Sequence, residues 1–249
     1  MNYFEKRFNK GNIVSNEEKY DFWRYEGDLG VKLDNLEVEF IVNTIIKTNN
    51  KNKSKIRIFD LGCGTGYHLI NTVKQFESIF DIRGLGIDRN EAYALQSKNN
   101  IVINGLDNKV EVNSESIEHL NSSYFEKHFL KSTHNLVLAI GVCQYLTYEE
   151  LEMLSESLSN INGYIIIKHP INYSHKIIKE ETREGFDYRS DYKNFENIYA
   201  PFSKNFDFVS MEKCFPRNYF EKDVYDSIES KEGIEQFFIV LCSKNLSLN

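Results

Sequence analysis

The chain has 249 residues, 41% of them hydrophobic and 27% charged, a balance that fits a globular protein and excludes a largely disordered one. Its formal net charge of -7 argues against an enzyme of nucleic acids, which normally presents excess positive charge to the phosphate backbone. This length suits one well-buried α/β domain with added segments.

Aromatic residues, at 14%, are unusually frequent, and many fall outside the strand pattern, where they are expected to line a pocket or cover a site. Cys63, Cys143, Cys214 and Cys242 are scattered without Cys-x-x-Cys spacing, so neither a metal centre nor a disulfide framework is expected. Residues 1–7 lack the apolar core of a signal peptide, and no later run is long enough to span a bilayer. The expected location is cytoplasmic. The sequence leaves the oligomeric state open.

In chain order, residues 1–33 precede the first regular pattern and contain Trp23, Arg24 and Tyr25. Residues 34–49 carry a helical stripe in Leu36, Val38, Phe40, Ile41, Ile45 and Ile46. A buried strand follows in Ile56, Ile58, Phe59 and Leu61, and leads into Asp60-Leu61-Gly62-Cys63-Gly64-Thr65-Gly66 before a helix over 67–76. Glycines between strand and helix let a turn tighten and bring backbone N–H groups close to a ligand, at the carboxyl end of the sheet where open α/β folds bind theirs. A dinucleotide loop needs Gly-x-Gly-x-x-Gly, and Tyr67 fills the place of its last glycine.

Residues 81–88 predict a second strand ending at Asp88, about where a ribose-binding carboxylate stands in doubly wound sheets. Asp88 also suits an N-cap for the next helix, 91–104. The pattern continues with strand 109–113, helix 116–130, strand 135–141, helix 148–158, strand 163–168, and closing strands 206–212 and 234–242. Strands alternating with helices imply a parallel sheet covered on both faces. Residues 169–205, with Tyr173, Phe186, Tyr188, Tyr192, Phe195 and Tyr199, interrupt this order.

From Asp60 to Gly66 the chain resembles motif I of class I S-adenosylmethionine-dependent methyltransferases, Asp/Glu-x-Gly-x-Gly-x-Gly. That resemblance, covering about residue 35 onward, implies a Rossmann-like, seven-stranded, mostly parallel sheet with a C-terminal antiparallel hairpin. It implies S-adenosyl-L-methionine as cofactor, held by Asp60, Gly62, Cys63, Gly64, Gly66, Asp88, Arg89 and Gly141. It divides the single domain into an N-terminal lid (1–33), a cofactor-binding core (34–168), a substrate-lid insertion (169–205) and C-terminal strands (206–249).

In the family an acid after the third strand contacts the adenine amino group. Glu115 takes that place, with Ser116 beside it, although Glu115 equally suits the first turn of a helix. Val142-Cys143-Gln144-Tyr145-Leu146 resembles the loop where cofactor and acceptor meet, which makes Tyr145 a candidate for both catalysis and substrate binding. Gln144, where many members carry histidine, can orient a substrate but cannot accept its proton. His169, delivered by the fifth strand, is the first candidate base and His175 the second, since imidazole titrates near pH 6.5. His169 ahead of Pro170 also suits a purely structural hydrogen-bonding position.

Arg24 and Trp23 are candidates to close over the methionine end of the cofactor, where ordinary helix packing is an equal reading. Tyr25, Tyr173 and Arg217 are candidates for the acceptor side, and surface solvation accounts for the arginine as well. The Asn/Asp-Pro-Pro-aromatic signature of nucleic-acid amino methyltransferases is missing. The expected activity is O- or N-methylation of a small polar metabolite. A protein or RNA methyltransferase, or a non-catalytic cofactor-binding subunit, are the rivals.

Overall fold

A computed structural model describes residues 28–49, 54–129, 133–172, 177–183, 186–214 and 234–246. Its seven-stranded sheet begins with β1 (Lys55–Leu61), β2 (Asp81–Ile87), β3 (Val110–Asn113), β4 (His134–Ile140) and β5 (Gly163–Asn172). These five run parallel, in the spatial order β3-β2-β1-β4-β5. Beyond an insertion, β8 (Phe206–Lys213) and β9 (Ile234–Ser243) close the sheet antiparallel, with β9 placed between β5 and β8. The Rossmann-like architecture expected from the sequence is therefore present.

Strand alternation sorts the core into two layers. Phe59 and Leu61 of β1, Val137 and Ala139 of β4, and Ile165 and Ile167 of β5 face one side. There they pack on α4 (Ser122–His128), α5 (Tyr148–Ser157) and α6 (Phe195–Tyr199) through Phe125, Leu151, Leu154 and Ile198. Ile56, Ile58, Leu136, Leu138 and Ile166 face the other side. They meet Ile41 and Ile45 of α1 (Asp28–Thr48), Leu69 and Val73 of α2 (Tyr67–Phe76), and Ala94 and Ile101 of α3 (Glu91–Ile103). Both faces are buried, which is why the strands read as apolar runs.

Three boundaries differ from the sequence expectation. The first helix begins at Asp28, so residues 28–33 belong to α1. The helix expected over 116–130 is broken into a 3-10 turn at Ile117–His119 and α4, because Leu120 turns extended and the Asn121 side chain caps α4 by accepting from the Tyr124 N–H at 3.1 Å. Finally, β5 runs on through His169 to Asn172, pairing with β9 as far as Ile234. Its register with β4 ends at Lys168, and past that point one side of the strand is freed from the parallel ladder, which suits Pro170. The insertion itself forms a hairpin of β6 (Ile177–Arg183) and β7 (Phe186–Tyr192), followed by α6. Among the described residues no helix is long and apolar enough to cross a membrane.

Candidate active site

The glycine loop leaves β1 at the carboxyl edge of the sheet. Gly62, Gly64 and Gly66 all take positive φ, at 66°, 54° and 80°. A Cβ on Gly64 or on Gly141, at the end of β4, would meet nothing within 4 Å, so the backbone at both points borders open space. On Gly66 it would collide with the Ser97 hydroxyl. The loop is braced from three sides. The Cys63 N–H donates to Ile87 O at 2.9 Å, the Gly64 N–H to Asp88 Oδ2 at 2.8 Å, and Asn100 Nδ2 to Thr65 O at 3.0 Å.

Asp60 lies beneath this loop, 2% exposed, and its Oδ2 has no hydrogen-bond partner among the described residues. Burial raises its carboxyl to about 7, with the Asp88 charge adding to the rise and His68 opposing it. A buried carboxylate with one unpartnered oxygen is a poor structural element and a good receptor for a cation. Burial also pushes Asp88 above its ordinary value against the pull of two backbone N–H groups. The cap of α3 is Asn90, whose side chain accepts from Ala92 and Tyr93, so the capping role open to Asp88 in the sequence belongs to its neighbour.

Across the β2 and β3 ends, Arg89 stands 3.8 Å from Glu118, and the Ser116 hydroxyl donates to the same carboxylate. Burial would raise Glu118, but these contacts outweigh it and lower it. Glu115 is exposed, close to the Tyr124 hydroxyl. Asp88, Arg89, Glu115 and Ser116 thus gather at one rim, beside Gly64.

The loop after β4 forms a 3-10 turn at Cys143–Tyr145, with Cys143 and Gln144 buried and Tyr145 half-buried. The Cys143 thiol is pushed up to about 12 by burial, which removes it as a nucleophile. Lys193, 4% exposed, donates from Nζ to Leu146 O at 2.7 Å and Cys143 O at 3.3 Å, tying the end of the insertion to this turn. His169 differs from expectation. It is fully buried, and its Nε2 accepts the Lys193 N–H at 3.1 Å, so that nitrogen is occupied. Burial, followed by the Lys193 charge, holds the ring neutral, well below its ordinary pKa. Its Nδ1 has no hydrogen-bond partner among the described residues, and burial keeps the ring away from the exposed position expected of a base. Trp23, Arg24, Tyr25, Tyr173, His175 and Arg217 lie outside the described residues.

The sequence reading missed Glu37, His68, Lys168 and Lys193. Glu37 shares a helical stripe with Ile41 and Ile45, and Lys168 ends the run Ile165-Ile166-Ile167. A charge inside an apolar stripe was the available signal.

A family described as a methyltransferase domain matches residues 52–200, more than half of the chain. The ubiquinone biosynthesis O-methyltransferase of Rickettsia akari (strain Hartford) is 27% identical over 94 residues, covering 37% of this chain and 38% of that protein. The chain therefore matches little more than a third of that relative's length. Among solved structures, a S-adenosylmethionine-dependent methyltransferase from Clostridium acetobutylicum ATCC 824 superposes with a TM-score of 0.59 at 14% identity, covering 91% of this chain and 96% of that one. The geranyl diphosphate C-methyltransferase of Streptomyces coelicolor A3(2), with S-adenosyl-L-homocysteine bound, gives a TM-score of 0.60 at 11% identity, over 86% and 80%. At these identities the superpositions speak for the fold. The matched region shows that this chain belongs to the methyltransferase-domain family, and the superpositions show that it has the fold of S-adenosylmethionine-dependent methyltransferases.

Proposed function

We propose that the enzyme methylates the oxygen or nitrogen of a small polar metabolite, such as a nucleotide-linked sugar, a cell-envelope precursor or a specialised metabolite. The observation that carries this reading is the insertion at the carboxyl edge of the sheet. Strand β7 packs on the turn at Cys143–Tyr145, and Lys193, the residue after β7, bonds the carbonyls of Cys143 and Leu146 there, which favours an enclosed acceptor site over an open docking face. The net charge of -7 and the name of the Rickettsia akari relative point the same way.

When bound, S-adenosylmethionine supplies a methyl group already activated by its sulfonium charge. In this reading Asp60 takes the cofactor's α-ammonium, Asp88 its ribose hydroxyls, and Glu115 with Ser116 its adenine. The backbone at Gly64 and Gly141 gives the close approach that side chains would block, while Gly62 makes room for Val142. Gln144 and Tyr145 orient the acceptor. Positioning does most of the work, because in-line displacement needs the nucleophile about 3 to 3.5 Å from the methyl carbon. With the His169 ring buried and its Nε2 occupied, the acceptor best suited to this site is one that attacks unaided, a neutral amine or an anionic oxygen.

The test is a methyl-transfer assay with isotopically labelled cofactor against fractionated small metabolites, bulk RNA and bulk protein. Label is expected in the metabolite fraction. Label confined to RNA or protein would reject the small acceptor.

A further inference from the structure

A polar chain crosses the α1/α2 face of the sheet directly behind the cofactor loop. Alternation along the strands puts Asp60 on the same side as Ile58, and Lys168 on the same side as Ile166, both facing α1 and α2. Glu37 descends onto this face from α1, and His68 stands in the first turn of α2, just after Gly66. Glu37, 3% exposed, is held through Oε1 by Lys168 Nζ, and its Oε2 meets His68 Nε2 at 2.8 Å. Lys168 is itself fixed at the site, since its carbonyl accepts the Gly141 N–H at 3.0 Å. The end of β5, the middle of α1 and the start of α2 are thereby joined through one carboxylate.

We propose that Lys168, Glu37 and His68 form a positioning chain for the cofactor's amino-acid end: Lys168 fixes Glu37, Glu37 fixes the His68 imidazolium, and that cation keeps Asp60 charged to receive the α-ammonium. The inference rests on the assignment of Asp60 to that ammonium. It explains why a buried acid with one unpartnered oxygen is tolerated under the loop.

The charges around the pair support the direction. His68 is faced by Glu37 and Asp34 from α1, by Asp60 from β1, and through Glu37 by Lys168 from β5. Burial would lower the His68 ring, but the Glu37 hydrogen bond and the three acids outweigh it, so the ring is raised above its ordinary value and its protonated form is favoured. Asp60 is faced by this imidazolium and by Asp88 from β2, which acts against it. The nearby thiols are neutral, Cys63 beside Asp60 and Cys214 beside Lys168 and Glu37, both pushed well up by burial. His68 is therefore the cation that keeps the Asp60 carboxyl from rising further.

The experiment is calorimetric titration of the full chain with S-adenosylhomocysteine from about pH 5.5 to about pH 9, for the wild type and for His68→Gln, His68→Lys and Asp60→Asn. If only charged Asp60 accepts the ligand, wild-type affinity falls about tenfold per pH unit below a step near pH 7. In His68→Gln the step moves upward, weakening binding about tenfold at neutral pH and about twofold or less at pH 9. His68→Lys returns the step toward its wild-type position. A wild-type step in His68→Gln, with the step abolished in Asp60→Asn, overturns the positioning chain and leaves the Asp60 assignment standing. A step that survives in Asp60→Asn overturns that assignment and the chain with it. Should His68→Gln not fold, ring nitrogen shifts of His68 in the wild type decide: a ring neutral at pH 6 overturns the proposal, and one protonated through pH 7 supports it.

Discussion

Asp88 binds the Gly64 N–H through Oδ2 at 2.8 Å while its Oδ1 accepts the Asn90 N–H at 2.9 Å. One carboxylate thus fixes the middle of the glycine loop and the entry to α3. Each oxygen has a second lone pair, so the group that shapes the loop can also receive the hydroxyls of a ribose. Loop conformation and ligand recognition are coupled through this residue.

Asp88→Ala removes both functions. Cofactor affinity is expected to fall by about 1.5 to 3 kcal/mol, the range for a hydrogen bond to a charged group, with a smaller loss of stability from the two freed N–H groups. Calorimetric binding and thermal melting on the same sample measure the two effects. Wild-type affinity in a folded Asp88→Ala protein would leave this residue as a loop brace alone.

The glycines separate ligand access from folding. Gly64 has open space where a Cβ would stand, so Gly64→Val is expected to fold, with about 1 to 2 kcal/mol of strain from its positive φ, and to lose cofactor binding. In Gly66→Ala the added atom meets the Ser97 hydroxyl inside the protein, and the loss should appear first in the melting temperature. Unchanged cofactor affinity in Gly64→Val would remove the loop from the site.

Asp60 carries a stability cost that the site requires. Its carboxyl, ordinarily near 3.8, is raised to about 7 in the folded chain, so the unfolded chain gives up its proton first as pH rises. The proton-bound form stabilises the fold fully below pH 4, and this contribution, about 4 kcal/mol, is lost as pH rises through 7. Asp60→Asn should therefore melt higher than the wild type at pH 8, by a net of about 1 to 3 kcal/mol after the cost of burying an unpaired amide, and should bind cofactor more weakly. Below pH 4 the stability advantage should vanish. An advantage independent of pH would mean that the gain comes from packing.

Much of this site was legible because backbone geometry leaves marks in sequence. Three glycines at alternate positions after an apolar strand signal a tight loop, and Asp60, Asp88 and Gly141 each stand at or beside a strand's carboxyl end. The course of residues 116–130 was not legible, because the apolar spacing there is compatible with one helix while the break depends on Asn121 capping α4 locally. His169 was misplaced for a different reason. Its strand position is as expected, but its inward orientation depends on Pro170 being accommodated in a longer strand and on Lys193, a residue of the insertion, reaching back to its ring. Glu37 and Lys168 lie far apart in the chain, and only the packing of α1 on β5 brings them together.

That pair yields the last expectation. Burial would raise the Glu37 carboxyl, but the Lys168 charge and the His68 contacts outweigh it and bring it to about 2 from an ordinary 4.5. A lowered carboxyl stabilises the fold above its unfolded value, so this contribution is complete above about pH 4.5 and lost as pH falls toward 2. Glu37→Gln removes the buried carboxylate that Lys168 and His68 both contact and is expected to destabilise the chain by about 3 to 5 kcal/mol at pH 7. The deficit should shrink as pH drops below 4.5, where the wild type loses the same interaction. Replacing both partners, Glu37→Leu with Lys168→Met, should recover most of the stability, because two apolar groups of similar size need no pairing. Denaturant titration at pH 7 and pH 3.5 compares the wild type, Glu37→Gln and the double variant. An equal deficit at both pH values, or a double variant no better than Glu37→Gln, would show that shape and not charge holds α1 to the sheet.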